Sequence, residues 1–275
     1  MDTSLAGKVV IVTGATSNIG RGVLLSFADE GARVVAVGRD AQAGERVLRQ
    51  ARERGAADTF WRPTDVTRHD DATALVADVI ERFGAVDVLV NGVGGNADVE
   101  PFSSSRPEDW NADISLNLVS VLNVTHAVLP HMLERGSGRI INIGSTSALM
   151  GDRYMAVYSA AKGAVHSFTK VLALEVGKAG VTVNAVAPYR TRPTDPEEAA
   201  AAISAGSRYH PGGGVFSRLA AERPELLAGM LRETAVPRDR AHPDEIGAAA
   251  VYLASRQAEF VTGQVLVVDG GALIA

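Results

Sequence analysis

Two rhythms alternate along the chain. Short continuous runs of Val, Ile and Leu, bounded by Gly, Asn or Asp, are each followed by a longer stretch whose apolar positions fall three and four residues apart. The runs predict strands over residues 8–12, 33–37, 59–62, 86–91, 139–143, 181–187 and 265–268. The longer stretches predict helices over 19–30, 41–54, 71–83, 107–133, 154–177 and 243–255. A strand that is apolar without alternation is buried on both faces, as in a parallel sheet covered by helices above and below. The expected fold class is α/β, a doubly wound parallel sheet of about seven strands in a three-layer α/β/α arrangement. Right-handed crossovers gather the C-terminal strand ends on one edge, where ligands bind in such sheets.

Residues 190–236 break the alternation. They are rich in Ala, Gly and Pro, with Tyr209, His210, Pro211 and Gly212 to Gly214 at their middle. A loop-rich insertion of that size inside a compact domain is usually functional, and it reads as an enlarged substrate lid. The rest of residues 1–275 reads as one domain.

Composition narrows the function classes. With 46% hydrophobic and 21% charged residues the chain can bury a sizeable core. A formal net charge of −5 without any basic run argues against nucleic acid as a partner. There is no cysteine, which excludes disulfides and thiolate metal sites and fits a reducing compartment. The six histidines show no metal-ligand spacing, so no metal is expected. Neither a signal-like N-terminus nor an apolar run of membrane-spanning length is evident, and a cytoplasmic protein without a membrane partner is the simple reading.

Candidate chemistry falls at the expected ligand edge. After the first strand, Thr13-Gly14-Ala15-Thr16-Ser17-Asn18-Ile19-Gly20 supplies glycines for a tight turn and a helix N-terminus for an anion such as a pyrophosphate. After the second strand, Gly38 stands where an acidic residue would bond the ribose hydroxyls of NAD, and Arg39 offers a fork for a 2′-phosphate, so NADP is favoured over NAD. Tyr158 and Lys162 are one helical turn apart and share a face. A nearby lysine cation lowers a phenol's pKa, which would bring Tyr158 toward working pH as a general acid/base. Ser145, at the end of the fifth strand, could hold the substrate oxygen where charge develops. Arg153, Arg190 and Arg192 could stand near the mouth and meet a carboxylate or phosphate.

With a thirteen-residue step from Ser145 to Tyr158 joined to the glycine turn, the chain resembles the short-chain dehydrogenase/reductase (SDR) family, Rossmann-type oxidoreductases. Asn184 to Pro188, Thr262-Gly263-Gln264 and Asp269-Gly270-Gly271 extend the resemblance over nearly the whole chain. It implies a single dinucleotide-binding and catalytic domain that moves a hydride between nicotinamide and a carbonyl or secondary alcohol. Tyr158 would exchange the proton, Ser145 orient it, Lys162 bond the nicotinamide ribose, and Asn117 anchor a water relay to Lys162. The cofactor would touch Gly14, Thr16, Ser17, Asn18, Ile19, Gly20, Arg39, Asp65, Val66, Asn91, Gly92, Val93, Pro188 and Thr191, besides Tyr158 and Lys162. Gly94, Gly95, Arg153, Tyr189 and Arg190 would face the substrate, with Tyr189 narrowing the nicotinamide pocket. Asn18 departs from the family pattern, which has glycine there. Family members commonly pair through the helices over 107–133 and 154–177, which implies a homodimer or homotetramer. Two alternatives stay open: a dehydrogenase of cis-dihydrodiol carboxylates or alicyclic alcohols using NAD, and a dinucleotide-sensing protein without turnover.

Overall fold

The computed structural model describes residues 3–96, 99–193, 199 and 214–275. Seven strands form one sheet: β1 (Val9–Thr13), β2 (Arg33–Gly38), β3 (Asp58–Pro63), β4 (Val88–Asn91), β5 (Gly138–Ile143), β6 (Val181–Pro188) and β7 (Val265–Val268). Their order is β3-β2-β1-β4-β5-β6-β7, with every neighbouring pair parallel. The chain starts in the middle, winds outward through β2 and β3, then returns to build β4 to β7 on the other side. That reversal leaves a crevice between the ends of β1 and β4.

The helices are α1 (Asn18–Asp29), α2 (Ala41–Glu53), α3 (His69–Phe83), α4 (Pro107–Ile114), α5 (Ser120–Arg135), α6 (Ser147–Met150), α7 (Ala156–Val176), α8 (Val215–Glu222), α9 (Pro224–Met230) and α10 (Pro243–Ala254). Several boundaries follow from local chemistry. The Asp40 carboxylate accepts from Ala43 N at the start of α2, Gly84 ends α3 at φ +77°, and α10 opens with Pro243 and a capping box between His242 and Glu245.

Strand periodicity divides the core. Val10 and Val12 of β1 face Val23, Leu24 and Phe27 of α1, Val47 of α2 and Ile246 of α10. Val9 and Ile11 face the opposite layer, Leu75 and Val79 of α3, Val124 and Val128 of α5 and Leu172 of α7. A third cluster lies outside the sheet, where Val215 and Leu219 of α8 and Met230 of α9 pack with Val99 and Met155.

Three features differ from the sequence-based expectation. The long helix over 107–133 is interrupted by a π-helical turn, Ser115–Val119, between α4 and α5. One extra residue per turn leaves no compositional mark, and such turns occur at functional sites. The segment Pro107–Arg135 is also long and apolar enough to cross a membrane by length and composition, contrary to the reading above; here Val121, Val124, Val128 and Met132 bury its inward side. Finally, the described residues of 190–236 include two short helices, α8 and α9, that the loop-rich reading did not anticipate, whereas Tyr209 to Gly213 lie outside the described residues.

Helices α1 and α10 cross so closely that a Cβ on Gly22 would sit 2.5 Å from the Pro243 ring and 2.6 Å from its carbonyl carbon. Gly22→Ala should therefore cost about 1–3 kcal/mol by overpacking, read as a fall in the urea midpoint. Gly163, inside α7 with nothing within 4 Å of its would-be Cβ, supplies the control. Gly163→Ala should raise stability by up to about 1 kcal/mol.

Candidate active site

The first wall is made of backbone. Gly14 has φ +71°, and a Cβ on it would lie 3.0 Å from Gly92 O; one on Gly20 would meet Gly14 O at 2.1 Å, and one on Gly92 would meet Thr13 O at 2.5 Å. These close approaches require glycine and bring the two turns together as a cradle at the N-terminus of α1. Thr13 fastens it, its Oγ1 accepting from Gly92 N at 3.0 Å and Val93 N at 3.4 Å. Ser17 caps α1 by position without spending its side chain, no acidic residue stands in the first turn, and Ser17 Oγ is buried without a partner among the described residues. An anion fits here on charge and on unfilled donors. Asn18 takes φ +41° and Ile19 follows it in α1.

The residues assigned to the adenosine end divide. Arg39 is exposed beside a cavity lined also by Arg62, Pro63, Thr64 and Asp65, and makes no hydrogen bond or ion pair among the described residues. A Cβ on Gly38 would meet Thr16 Cγ2 at 2.9 Å and Trp61 Cη2 at 3.3 Å, so Thr16 and Trp61 fill the space an acidic side chain would need. Asp65 accepts from Thr67 Oγ1 at 2.7 Å and Thr67 N at 3.1 Å through one oxygen, and the Thr67 hydroxyl is the main reason its pKa is lowered. Val66 is buried. Asn91 differs from expectation: its Nδ2 donates inward to Thr125 Oγ1 and Asn142 Oδ1, at 3.0 and 2.9 Å, so its side chain belongs to the interior and only its backbone faces the edge.

The second wall carries side chains. Asn117, in the π-helical turn, is fully buried; its Oδ1 accepts from Gly95 N at 3.0 Å and its Nδ2 donates to Gly95 O at 2.8 Å. A Cβ on Gly94 would lie 2.9 Å from both Asn117 Oδ1 and Lys162 Nζ, so these three positions meet. Ser145, at the end of β5, has its Oγ within 3.2 Å of Ser147 N and 2.9 Å of Ser147 Oγ. Lys162 Nζ donates to Ile143 O at 2.8 Å.

Tyr158 and Lys162 do share a face, but burial outweighs the expected lowering of the phenol. Tyr158 is pushed up to about 12, first by desolvation, while the Ser145 hydroxyl pulls it down and the Asp152 and Asp113 carboxylates push it further up. Lys162 lies over the tyrosine ring, 5.9 Å from its centroid, and burial alone pushes it down to about 8. Spacing fixes a common face but not depth: both groups sink below the surface, and each is driven toward its neutral form.

Sequence reasoning missed three groups. Ser147 holds Ser145. His166, one turn beyond Lys162, is buried with Nε2 3.5 Å from Ser145 N, and desolvation with Lys162 and Lys170 pushes it down to about 4. Its periodicity with Tyr158 and Lys162 was the available signal. A cleft lined by Glu100, Phe102, Asp109, Trp110 and Asp113 also borders Tyr158, with Phe102 and Trp110 stacked at 5.2 Å. No spacing marked it.

The arginines assigned to the mouth are otherwise engaged or exposed. Arg190 pairs with Asp239 at 3.0 Å, Arg153 is exposed, and Arg192 is lowered first by burial and then by Arg240 and Arg190. Tyr189 is buried, and its Oη accepts from Arg232 N at 2.9 Å, which ties the end of β6 to the segment after α9. Thr191 Oγ1 donates to Tyr189 O at 2.6 Å, and Pro188 O accepts from Thr146 N at 3.1 Å.

Comparison with known proteins gives a consistent result. Residues 8–202 match the short chain dehydrogenase family model, and residues 214–272 match a model described as enoyl-(acyl carrier protein) reductase. An L-fucose dehydrogenase of Oryctolagus cuniculus is 38% identical, covering 97% of this chain and 85% of that protein. A 3-oxoacyl-(acyl-carrier-protein) reductase of Thermotoga maritima is 33% identical, covering 98% and 99%, and a 2,3-dihydroxy-2,3-dihydro-p-cumate dehydrogenase of Pseudomonas putida is 35% identical, covering 98% and 95%. A variant actinorhodin polyketide ketoreductase solved with NADPH superimposes with a TM-score of 0.82 at 36% identity, covering 98% of each chain.

The shifted pair should show in stability. Lys162 has a folded pKa below its unfolded value, so the folded state gains stability as pH rises from about 8 toward 10.5. Tyr158 has a folded pKa above its unfolded value, so its contribution is complete below pH 10 and is lost toward 12. In urea titrations at pH 8 and 10, the wild type should therefore gain on Lys162→Met over that interval.

Proposed function

The chain belongs to the short-chain dehydrogenase family, and from that membership we propose that it reduces an uncharged carbonyl compound to a secondary alcohol with NADP(H), NAD(H) serving less well. The carrying observation is the convergence of Ser145, Tyr158, Lys162 and Asn117 beside a glycine cradle at the strand ends. Arg39, without a hydrogen bond or ion pair among the described residues, and the filled space at Gly38 support NADP(H). Arg190 is paired with Asp239 and Arg153 is exposed, which supports an uncharged substrate over an anionic one. We read residues 1–275 as one catalytic domain with 190–236 as its substrate lid. A cytoplasmic location agrees with the absence of cysteine.

The dinucleotide would be held by the backbone of Gly14 to Gly20, by Ser17, by Arg39 and by the N–H groups of Lys162 that Ile143 O leaves free. When bound, it supplies the hydride. Ser145, steadied by Ser147, directs its hydroxyl at the carbonyl oxygen and holds the negative charge that grows there. Tyr158, protonated throughout the neutral range, gives its proton to that oxygen as the carbon–oxygen double bond becomes single. His166 stays neutral and keeps the Ser145 backbone in place.

A homodimer or homotetramer is the assembly we favour. Support comes from β7, an unpaired sheet edge with Phe260 and Ile274 exposed nearby in sequence, and from Leu122, Val171 and Leu174 exposed on α5 and α7.

Three variants test this reading. Tyr158→Phe should lower kcat at least about 100-fold while NADPH still binds; near-normal turnover would refute the acid role. Arg39→Ala should lower kcat/KM with NADPH by about 10-fold and leave that with NADH nearly unchanged. Gly38→Asp should not by itself produce an NADH enzyme, because Thr16 and Trp61 fill the space.

A further inference from the structure

Asn18 combines an unusual backbone with a long-range bond. Its φ of +41° lies in the left-handed region, which asparagine enters at less cost than most residues with a side chain. Its Nδ2 donates to the carbonyl of Thr191 at 2.8 Å, across 173 residues of sequence. The opposite amide orientation would set oxygen against oxygen, so that carbonyl decides which way the group faces. Asn18 Oδ1 is left buried without a partner among the described residues, an acceptor within the dinucleotide turn.

Thr191 stands at the root of the lid. It forms a parallel bridge with Ala241, Arg192 N donates to Ala241 O at 3.1 Å, and Ala241 N donates to Arg190 O at 2.9 Å. Tyr189 beside it receives Arg232 N, and the Arg232 guanidinium donates to Gly151 O at 3.2 Å, on the loop leading to Tyr158. Glycine at position 18 would adopt the same φ without strain and would have nothing to reach Thr191 with. Asparagine spans from the anion cradle to the lid root with one side chain.

We propose that Asn18 is a positioning residue that couples the phosphate turn to the root of the lid. An anion seated at the start of α1 orders Ser17 and Asn18, and Asn18 Nδ2 then holds residues 189–193 in place beside the turn. The coupling is reciprocal, so ordering the lid root also favours the seated turn. This inference rests on the dinucleotide reading of the site and adds to it a route between its two ends.

Hydrogen exchange of residues 189–193, with and without NADPH, tests the coupling in the wild type and in Asn18→Gly. NADPH should slow exchange there in the wild type. In Asn18→Gly, which relieves the backbone as it cuts the strut, NADPH should still bind by fluorescence and the thermal midpoint should be equal or higher. The protection at 189–193 should nevertheless be lost and kcat should fall about 2- to 10-fold, with a smaller change in KM for NADPH. Asn18→Ser, neutral and too short to reach Thr191 O, should lose the same protection while NADPH still binds, which covers the case in which the glycine variant loosens the whole turn. Protection and kcat retained in both variants would overturn the proposal while leaving the functional reading intact. A wild type that binds neither NADPH nor NADH would overturn that reading and this inference together.

Discussion

The site depends on three backbones passing one another, without side chains between them, where β1 and β4 end. Gly14, Gly20 and Gly92 are each too close to a neighbouring carbonyl to carry a Cβ. Thr13 converts that proximity into a fixed joint by receiving the amides of Gly92 and Val93. The loop leaving β4 is thereby aimed at the π-helical turn, where Gly95 exchanges two hydrogen bonds with Asn117. Gly94, again lacking a Cβ, lets Asn117 and Lys162 approach one point from different helices. A constraint on the phosphate side thus sets the position of the lysine on the other side of the crevice.

Buried polar residues fix the sheet beneath this joint. Asn91 and Asn142 are register partners on β4 and β5, and they join Thr125 and Thr169 in one chain of hydrogen bonds. Slipping either strand by one residue would break that chain and leave amides unpaired in a dry interior. Asn91 looked like a ligand contact because it ends an apolar run at the edge where ligands bind. Its side chain serves register instead, and residue type with position could not separate the two uses.

Strand identity was legible because burial on both faces demands unbroken apolar runs, and the glycine turn was legible because close backbone approach demands glycine. Other features had no such demand behind them. The π-helical turn around Asn117 differs from α-helix by one residue per turn, and no side chain marks it. Helices α8 and α9 hide among Gly and Pro because each is only two turns long and buries few apolar residues, such as Val215 and Leu219. The i, i+4 spacing of Tyr158 and Lys162 was read as charge coupling, but spacing carries no information about depth. Ser147 and His166 act through atoms two and twenty-one residues from Ser145, and that geometry exists only once β5 and α7 have packed.

Depth also sets the protonation state in which the pair waits. Desolvation drives Tyr158 toward the neutral phenol and Lys162 toward the neutral amine, and the Asp113 and Asp152 carboxylates push the phenol the same way. A site arranged in this manner resists forming phenolate, the state required to take a proton from an alcohol, and favours the phenol, the state required to give one to a carbonyl oxygen. Ser145 opposes the trend only in part, because its hydrogen bond lowers the phenol less than burial raises it. A positive charge near the tyrosine oxygen would oppose that shift; an oxidised nicotinamide carries one, and Lys162, bound to Ile143 O, lies 5.9 Å from the ring centroid. A catalyst speeds both directions alike, so this arrangement leaves the equilibrium to cofactor and substrate and fixes only how the tyrosine proton is held before transfer.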